Sequence, residues 1–249
     1  MKTRLLCAVI GAILWTATAS AQGLKGLSCE LSTEVTSRPM FTSAGLFASR
    51  HAAQISDLYC GYPLGHDDKL YVDIWNLTPY GRFADGGEVD FRVGYSKNVG
   101  RWNFDMSVAE YNFRVDGLGV LNSLNARGKT TYNFDVGQNL VLRVYGIVDF
   151  QHSFNFHPAH AFAVAGGVYG GVKMLPKVEL GVGAEVWQYA TNWTDNPHAT
   201  VVSVVPQVSY EFDKNVTLYA KAAFVTGSII RSENHGWKQN YTVGVTLKF

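Results

Sequence analysis

Histidines, a His-Ser pair, two late cysteines and charged residues at alternate positions are the chemistry-bearing features of this 249-residue chain. Clustered imidazoles could hold a transition metal, because neutral histidine is the commonest ligand for one. His152, His157 and His160 lie close together in QHSFNFHPAH. Polar loops also tolerate histidine with no metal present, and no metal site is assigned. His152 adjoins Ser153, which pairs the residue types of a nucleophile and its base. Neighbours on an extended strand point to opposite faces, so these two cannot easily share a proton. Barrel phospholipases separate their histidine and serine by one residue, and this sequence does not. The glycine-rich VAGGVYGGV lacks the dinucleotide-binding spacing and no helix follows it, so its glycines suit strand curvature or close packing better than a phosphate. No catalytic residue and no cofactor is assigned.

The charged residues form a more coherent set. Glu88, Asp90, Arg92, Asp105, Lys129, Asp135, Arg143, Asp149, Glu179, Glu185 and Lys221, with Lys173, alternate with apolar residues and so share one face of their strands. Tyr71, Trp75, Tyr111, Tyr145 and Tyr169 fall on the same face and add bulk. Both signs of charge are present, so no obvious ion-selective field is expected. Only Arg92 and Arg143 stand out as inward arginines, which supports an acidic-sugar track weakly.

Positioning these residues requires strands. Twelve segments alternate with period two, at 28 to 38, 51 to 60, 68 to 78, 86 to 97, 100 to 114, 125 to 136, 139 to 152, 161 to 174, 177 to 189, 199 to 212, 215 to 227 and 237 to 249. The last puts Trp237, Tyr241, Val243, Val245, Leu247 and Phe249 on one face and Lys238, Asn240, Thr242, Thr246 and Lys248 on the other. Most exceed the roughly 5 to 6 residues of an average strand and match the 9 to 11 or so that cross a bilayer at a tilt. The expected fold is all-β, a closed antiparallel transmembrane barrel of twelve strands, with ten or eight as alternatives.

The connections alternate in length, as outer-membrane barrels require. Backwards from the C-terminus, IIRSENHGW, TNWTDNPH, FNFHPAH and DGLGVLNS are long, while DKN, MLPK, VGQN and NVG are short. With the short turns periplasmic, Tyr95, Trp102, Phe134, Tyr210, Phe212 and Phe249 form one aromatic girdle, and Phe150, Phe162, Phe224, Trp237 and Tyr241 the other. His51, His152, His157, His160, His198 and His235 then lie near the outer rim, with His66 opposite. Cys29 and Cys60 meet on the periplasmic side, where a disulfide is the default in an oxidising compartment. Two details fit less well. Pro206 should bulge or break its strand, and Trp187 and Tyr189 share the face of Glu179 and Glu185, as though the apolar alternation slips there.

Residues 1–21 read as a secretory signal, with Lys2 and Arg4, an apolar run from Leu5 to Trp15, and small residues up to a cleavage site after Ala21. The barrel occupies 22–249. No stretch reaches the 20 or so apolar residues of a spanning helix. Without Lys2 and Arg4 the 21 basic residues become 19 against 20 acidic ones, a balance that argues against a nucleic-acid partner.

The segments DKLYVDIWNLTP and GGEVDFRVGYSKNVGRWNFDMSVAEYNF resemble paired strands of an uncharacterised family of porin-like Gram-negative outer-membrane barrels, the matching residues being Trp75, Glu88, Asp90, Gly94, Tyr95 and Tyr111. The closing YTVGVTLKF resembles the signal by which such barrels are recognised for assembly. The resemblance implies an outer-membrane barrel with lipids and the assembly machinery, through Phe249, as partners. The expected function is a small porin or passive solute channel. A non-conducting scaffold, a lipid-active enzyme and a secreted soluble β-protein are the alternatives.

Overall fold

The computed structural model describes residues 26–44, 46–49, 51–80, 87–115, 119–154, 160–191, 196–229, 231 and 236–249. The expected signal segment 1–21, His157 and His235 lie outside the described residues. Twelve long strands form a closed antiparallel barrel, and a separate two-stranded hairpin lies between the first and second of them. In chain order the strands are β1 (Ser28–Thr36), the hairpin β2 (Met40–Phe41) and β3 (Leu46–Phe47), then β4 (Ala53–Pro63), β5 (Asp68–Pro79), β6 (Gly87–Val99), β7 (Trp102–Val115), β8 (Gly119–Phe134), β9 (Leu140–Ser153), β10 (His160–Leu175), β11 (Val178–Thr191), β12 (Thr200–Asp213), β13 (Val216–Thr226) and β14 (Trp237–Lys248).

Closure runs through β1, which pairs with β4 on one side and β14 on the other. Cys29 and Phe249 exchange both backbone hydrogen bonds at 2.9 Å, so the last residue completes the ladder. A closed ladder leaves no strand edge, the condition for burying backbone in hydrocarbon. Beside this seam Cys29 and Cys60 stand directly opposite, Cα atoms 4.1 Å apart, and are joined as a disulfide.

Alternation sorts the side chains. Val72, Val93, Met106, Val108, Val148, Val182 and Val243 are exposed on the outer surface, while their strand neighbours turn inward. Exposed valines around a whole circumference suit a lipid solvent, since soluble proteins rarely leave so large an apolar patch in water. The aromatics Tyr95, Trp102, Phe134, Tyr210, Phe212 and Phe249 lie at or next to strand ends on the side of the short turns, and Phe150, Phe162, Phe224, Trp237 and Tyr241 at the opposite ends. Trp102, Tyr132 and Phe134 form one continuous aromatic contact, each step 4.8 Å between ring centroids.

One local expectation needs correction, and two others take a specific form. DGLGVLNS is not a long loop, because β7 runs to Val115 and β8 already begins at Gly119. Of the bulge or local break expected at Pro206 the structure has the break: β12 pairs Pro206 with Val182, while pairing to β13 is interrupted at Val205 and Pro206 and resumes in the same register at Gln207. Proline has no N–H to donate, so the ladder loses its bonds on one side only. At its outer end β11 does shift register against β10, with Ala190 left out between Tyr189 and Thr191. Trp187 is 3% exposed and faces inward against other apolar side chains.

Candidate functional site: a charged lumen beneath an apolar hairpin

The inward faces of the twelve strands line one lumen, and ion pairs brace its wall. Arg92 pairs with Asp73 at 2.8 Å, Arg127 with Asp149 at 2.7 Å and Lys221 with Glu34 at 2.8 Å. Asp105, Lys129, Arg143, Glu179 and Glu185 join them on the inward faces. Glu88 and Asp90 are buried there too. Asp135, expected on this wall, lies past the end of β8 in a turn, 73% exposed and paired with Arg101 at 3.2 Å. The strand stops one residue too early to turn it inward.

Several inward tyrosines take up less of the lumen than their size suggests, because they lie along the wall over glycines of the next strand. Tyr71 on β5 covers Gly94 on β6 and donates to Asp105 on β7 at 2.9 Å. Tyr145 on β9 covers Gly167 on β10 and donates to Glu185 on β11 at 2.9 Å. Tyr219 on β13 covers Gly244 on β14 and donates to Glu34 on β1 at 2.9 Å. The unit of tyrosine, glycine and carboxylate on three successive strands thus recurs every four strands. A Cβ on Gly167 would stand 2.3 Å from Tyr145 Cζ, so any side chain there must push the ring off the wall. Gly167→Ala is expected to lower unfolding stability by about 1 to 3 kcal/mol, the usual cost of overpacking. Gly170→Ala, where a Cβ meets nothing within 4 Å, should be nearly silent. Urea titration of the lipid-reconstituted barrel checks both.

At the outer end the hairpin β2–β3 crosses the lumen. Met40 packs against an apolar cluster that Ile147, Ala163, Trp187, Val201 and Val225 of strands β9 to β13 form together. Phe41 packs on the other side with Ala53, Leu77, Ile55 and Trp75 of β4 and β5. Tyr189 donates its hydroxyl to the Ser43 carbonyl at 3.3 Å, and the Ile229 N–H donates to the Ala44 carbonyl at 3.1 Å. Trp187 and Tyr189, out of place in an apolar-outward pattern, are there to receive this segment. Its sequence, MFTSAGLF, carries the signal: two apolar pairs around a short small-residue turn.

Charge is segregated around the lumen. On the arc β1, β4, β5 and β6 the inward residues include Glu30, Glu34, Asp57, Asp73, Glu88 and Asp90, against Lys69 and Arg92. On the arc β8, β9 and β10 they are Arg127, Lys129, Arg143 and Lys173, against Asp149. In the strand order β1 lies six strands from β9 and β4 six from β10, while β6 and β8 are separated only by β7. Mixed charge in the sequence thus becomes an acid-rich arc and a base-rich arc of the wall. Each base of the second arc except Lys173 also lies over an aromatic ring: Arg127 over Trp187 at 5.5 Å, Lys129 over Tyr145 at 4.4 Å and Arg143 over Tyr169 at 5.9 Å. Sequence reading passed over Asp57, Asp73 and Arg127, although Asp73 shares the parity of Trp75 and Arg127 that of Lys129.

His152 and His160 approach on the outer surface, Nδ1 to Nδ1 3.1 Å. Among the described residues no three histidine, cysteine or acidic side chains are placed to hold a metal. Ser153 is 3% exposed and turned to the opposite face from His152, so the adjacent histidine is not placed to share its proton.

No family model and no curated protein sequence matches this chain. Solved structures do. The NanC porin superposes with a TM-score of 0.57 at 11% identity, over 88% of this chain and 100% of its own. An outer-membrane channel from Pseudomonas putida F1 gives 0.60 at 12% identity, over 90% and 96%. The KdgM porin gives 0.51 at 12% identity, over 89% and 99%. The chain has the fold of outer-membrane porins and channels.

Proposed function

We propose that the chain is a channel of the bacterial outer membrane, passing small hydrophilic solutes by diffusion through a lumen that the hairpin β2–β3 narrows at its outer mouth. The observation that carries this reading is a charged interior inside a wall whose outer surface is apolar, with the bulkiest inward tyrosines laid along the wall instead of across it. Fixed charges and hydroxyls replace part of a solute's hydration, and the narrowest section sets the rate. Export by a signal in residues 1–21 and assembly through the strand ending at Phe249 belong to the same reading. No catalytic step is proposed.

A non-conducting barrel is the second reading, favoured by the apolar packing of Met40 across the mouth. Planar-bilayer recording of the refolded chain separates the two. Discrete current steps are expected, and a barrel folded by its heat-modifiable gel mobility that gives no steps would refute the channel.

A further inference from the structure

We propose that His152 and His160 form a two-histidine site for a divalent transition metal on the outer rim of the barrel, with Cu2+ bound most tightly. The two residues stand opposite each other in the outermost pair of the β9–β10 ladder. Both lie on the outward faces of their strands, just beyond Phe150 and Phe162 of the outer aromatic girdle. Side chains directly opposite on an antiparallel pair are near enough to share a ligand. Here the two Nδ1 atoms are 3.1 Å apart.

The rings are turned as chelation requires. Two imidazole nitrogens, each about 2.0 to 2.1 Å from one ion at a right-angled to tetrahedral opening, stand roughly 2.8 to 3.4 Å apart. The observed 3.1 Å falls within that range. Carried back to the ring centres, an angle of about 97° at the ion sets the centres about 4.8 Å apart, and they do stand 4.8 Å apart. A straight N–H···N hydrogen bond of the same length would hold the centres about 5.4 Å apart. The two ring axes therefore cannot both lie along the line between the nitrogens. Convergence on one point beside that line accounts for both distances. Neighbouring aromatics hold the rings there: Phe150 stacks on His160 at 5.8 Å, and Phe154 meets His152 edge-on at 5.1 Å. A pair held in place loses less freedom on binding.

The donor set chooses the metal. Neutral imidazole suits zinc, copper and nickel, whereas Ca2+ and Mg2+ take oxygen ligands. For the same two nitrogens, affinity rises from nickel to copper and falls again at zinc. His160 is exposed, so an ion reaches it from outside and solvent fills the remaining positions. With no third histidine, cysteine or carboxylate placed to join them among the described residues, the two ligands make a labile site that captures and releases ions, unlike the four-ligand cage of a structural metal.

Copper titration of the untagged refolded barrel in detergent tests the site, with calorimetry for affinity and electron paramagnetic resonance for the ligands. One Cu2+ with hyperfine coupling to two nitrogens is expected. His152→Gln and His160→Gln should each weaken its binding by about tenfold or more, a modest share of what linking two binding groups adds. His198→Gln, which removes an exposed histidine between β11 and β12, should leave it unchanged. The wild-type spectrum decides even if a variant fails to fold. No saturable binding, coupling to fewer than two nitrogens, affinity that survives either of the first two replacements, or an equal loss in His198→Gln would overturn the proposal.

Discussion

Replacing residues 40–47 with a short glycine-serine linker raises single-channel conductance by about twofold or more, the expected result if the narrowest section lies under the hairpin. The physical reason is the span that the hairpin covers. Met40 packs against the cluster built from β9 to β13, while Phe41 packs against the one that includes Ala53 of β4 and Leu77 of β5, so the segment is anchored at both walls. Those anchors are apolar, and a hydrophobic constriction impedes ions beyond its geometric width. The barrel itself should survive the replacement, because the pairing of β1 with β4 and β14 does not pass through the hairpin. Conductance unchanged in the shortened protein would mean that the path does not run beneath Met40.

The second large effect concerns the outer surface. Val148 sits midway along β9, 53% exposed, facing away from the lumen between Gly128 and Val164. Val148→Arg is expected to cost about 2 to 4 kcal/mol in a bilayer, the penalty for a cation near the hydrocarbon midplane. Thr131→Arg, whose side chain enters the polar lumen near Asn103, should cost much less and alter conductance instead. Equilibrium unfolding in urea from lipid vesicles measures the first, and bilayer recording the second. Equal costs at the two positions would mean that both faces meet the same solvent.

Much of this architecture was legible from alternation alone. Val243, Val245 and Leu247 opposite Thr242, Thr246 and Lys248 fix which face of β14 is lipid-exposed, because period two permits no other sorting on a closed sheet. The Cys29 and Cys60 pairing also followed from topology. Three things were not legible, for separate reasons. Asp135 has inward parity but lies past the end of its strand, and parity says nothing about where hydrogen bonding stops. The tyrosines share a face with the charges, yet only the cross-strand register shows that Gly94, Gly167 and Gly244 lie beneath Tyr71, Tyr145 and Tyr219. The two charge arcs are likewise a property of closure. Glu34 and Arg143 are ordinary alternating charges along the chain, and their opposition appears only when β1 and β9 stand six strands apart in a ring.

The resemblance between residues 68 and 113 and a porin-like family pointed to barrel strands, and those residues do form β5, β6 and most of β7. Its matching residues have specific work here. Gly94 makes room for Tyr71, and Trp75 stands between Asp57 and Asp90 in the register of three adjacent strands. Tyr95 faces outward with the aromatic girdle instead.

The most direct test of a lipid-facing apolar wall around a polar lumen is spin-label accessibility along β14 in vesicles, with single cysteines placed in turn at positions 241 to 246 in a Cys29→Ser/Cys60→Ser background. Collisions with oxygen should peak at 241, 243 and 245, and collisions with a water-soluble nickel chelate at 242, 244 and 246. Labels at 243 and 245 shielded from both reagents would place those residues in a closed protein core and contradict the barrel's orientation of its two faces.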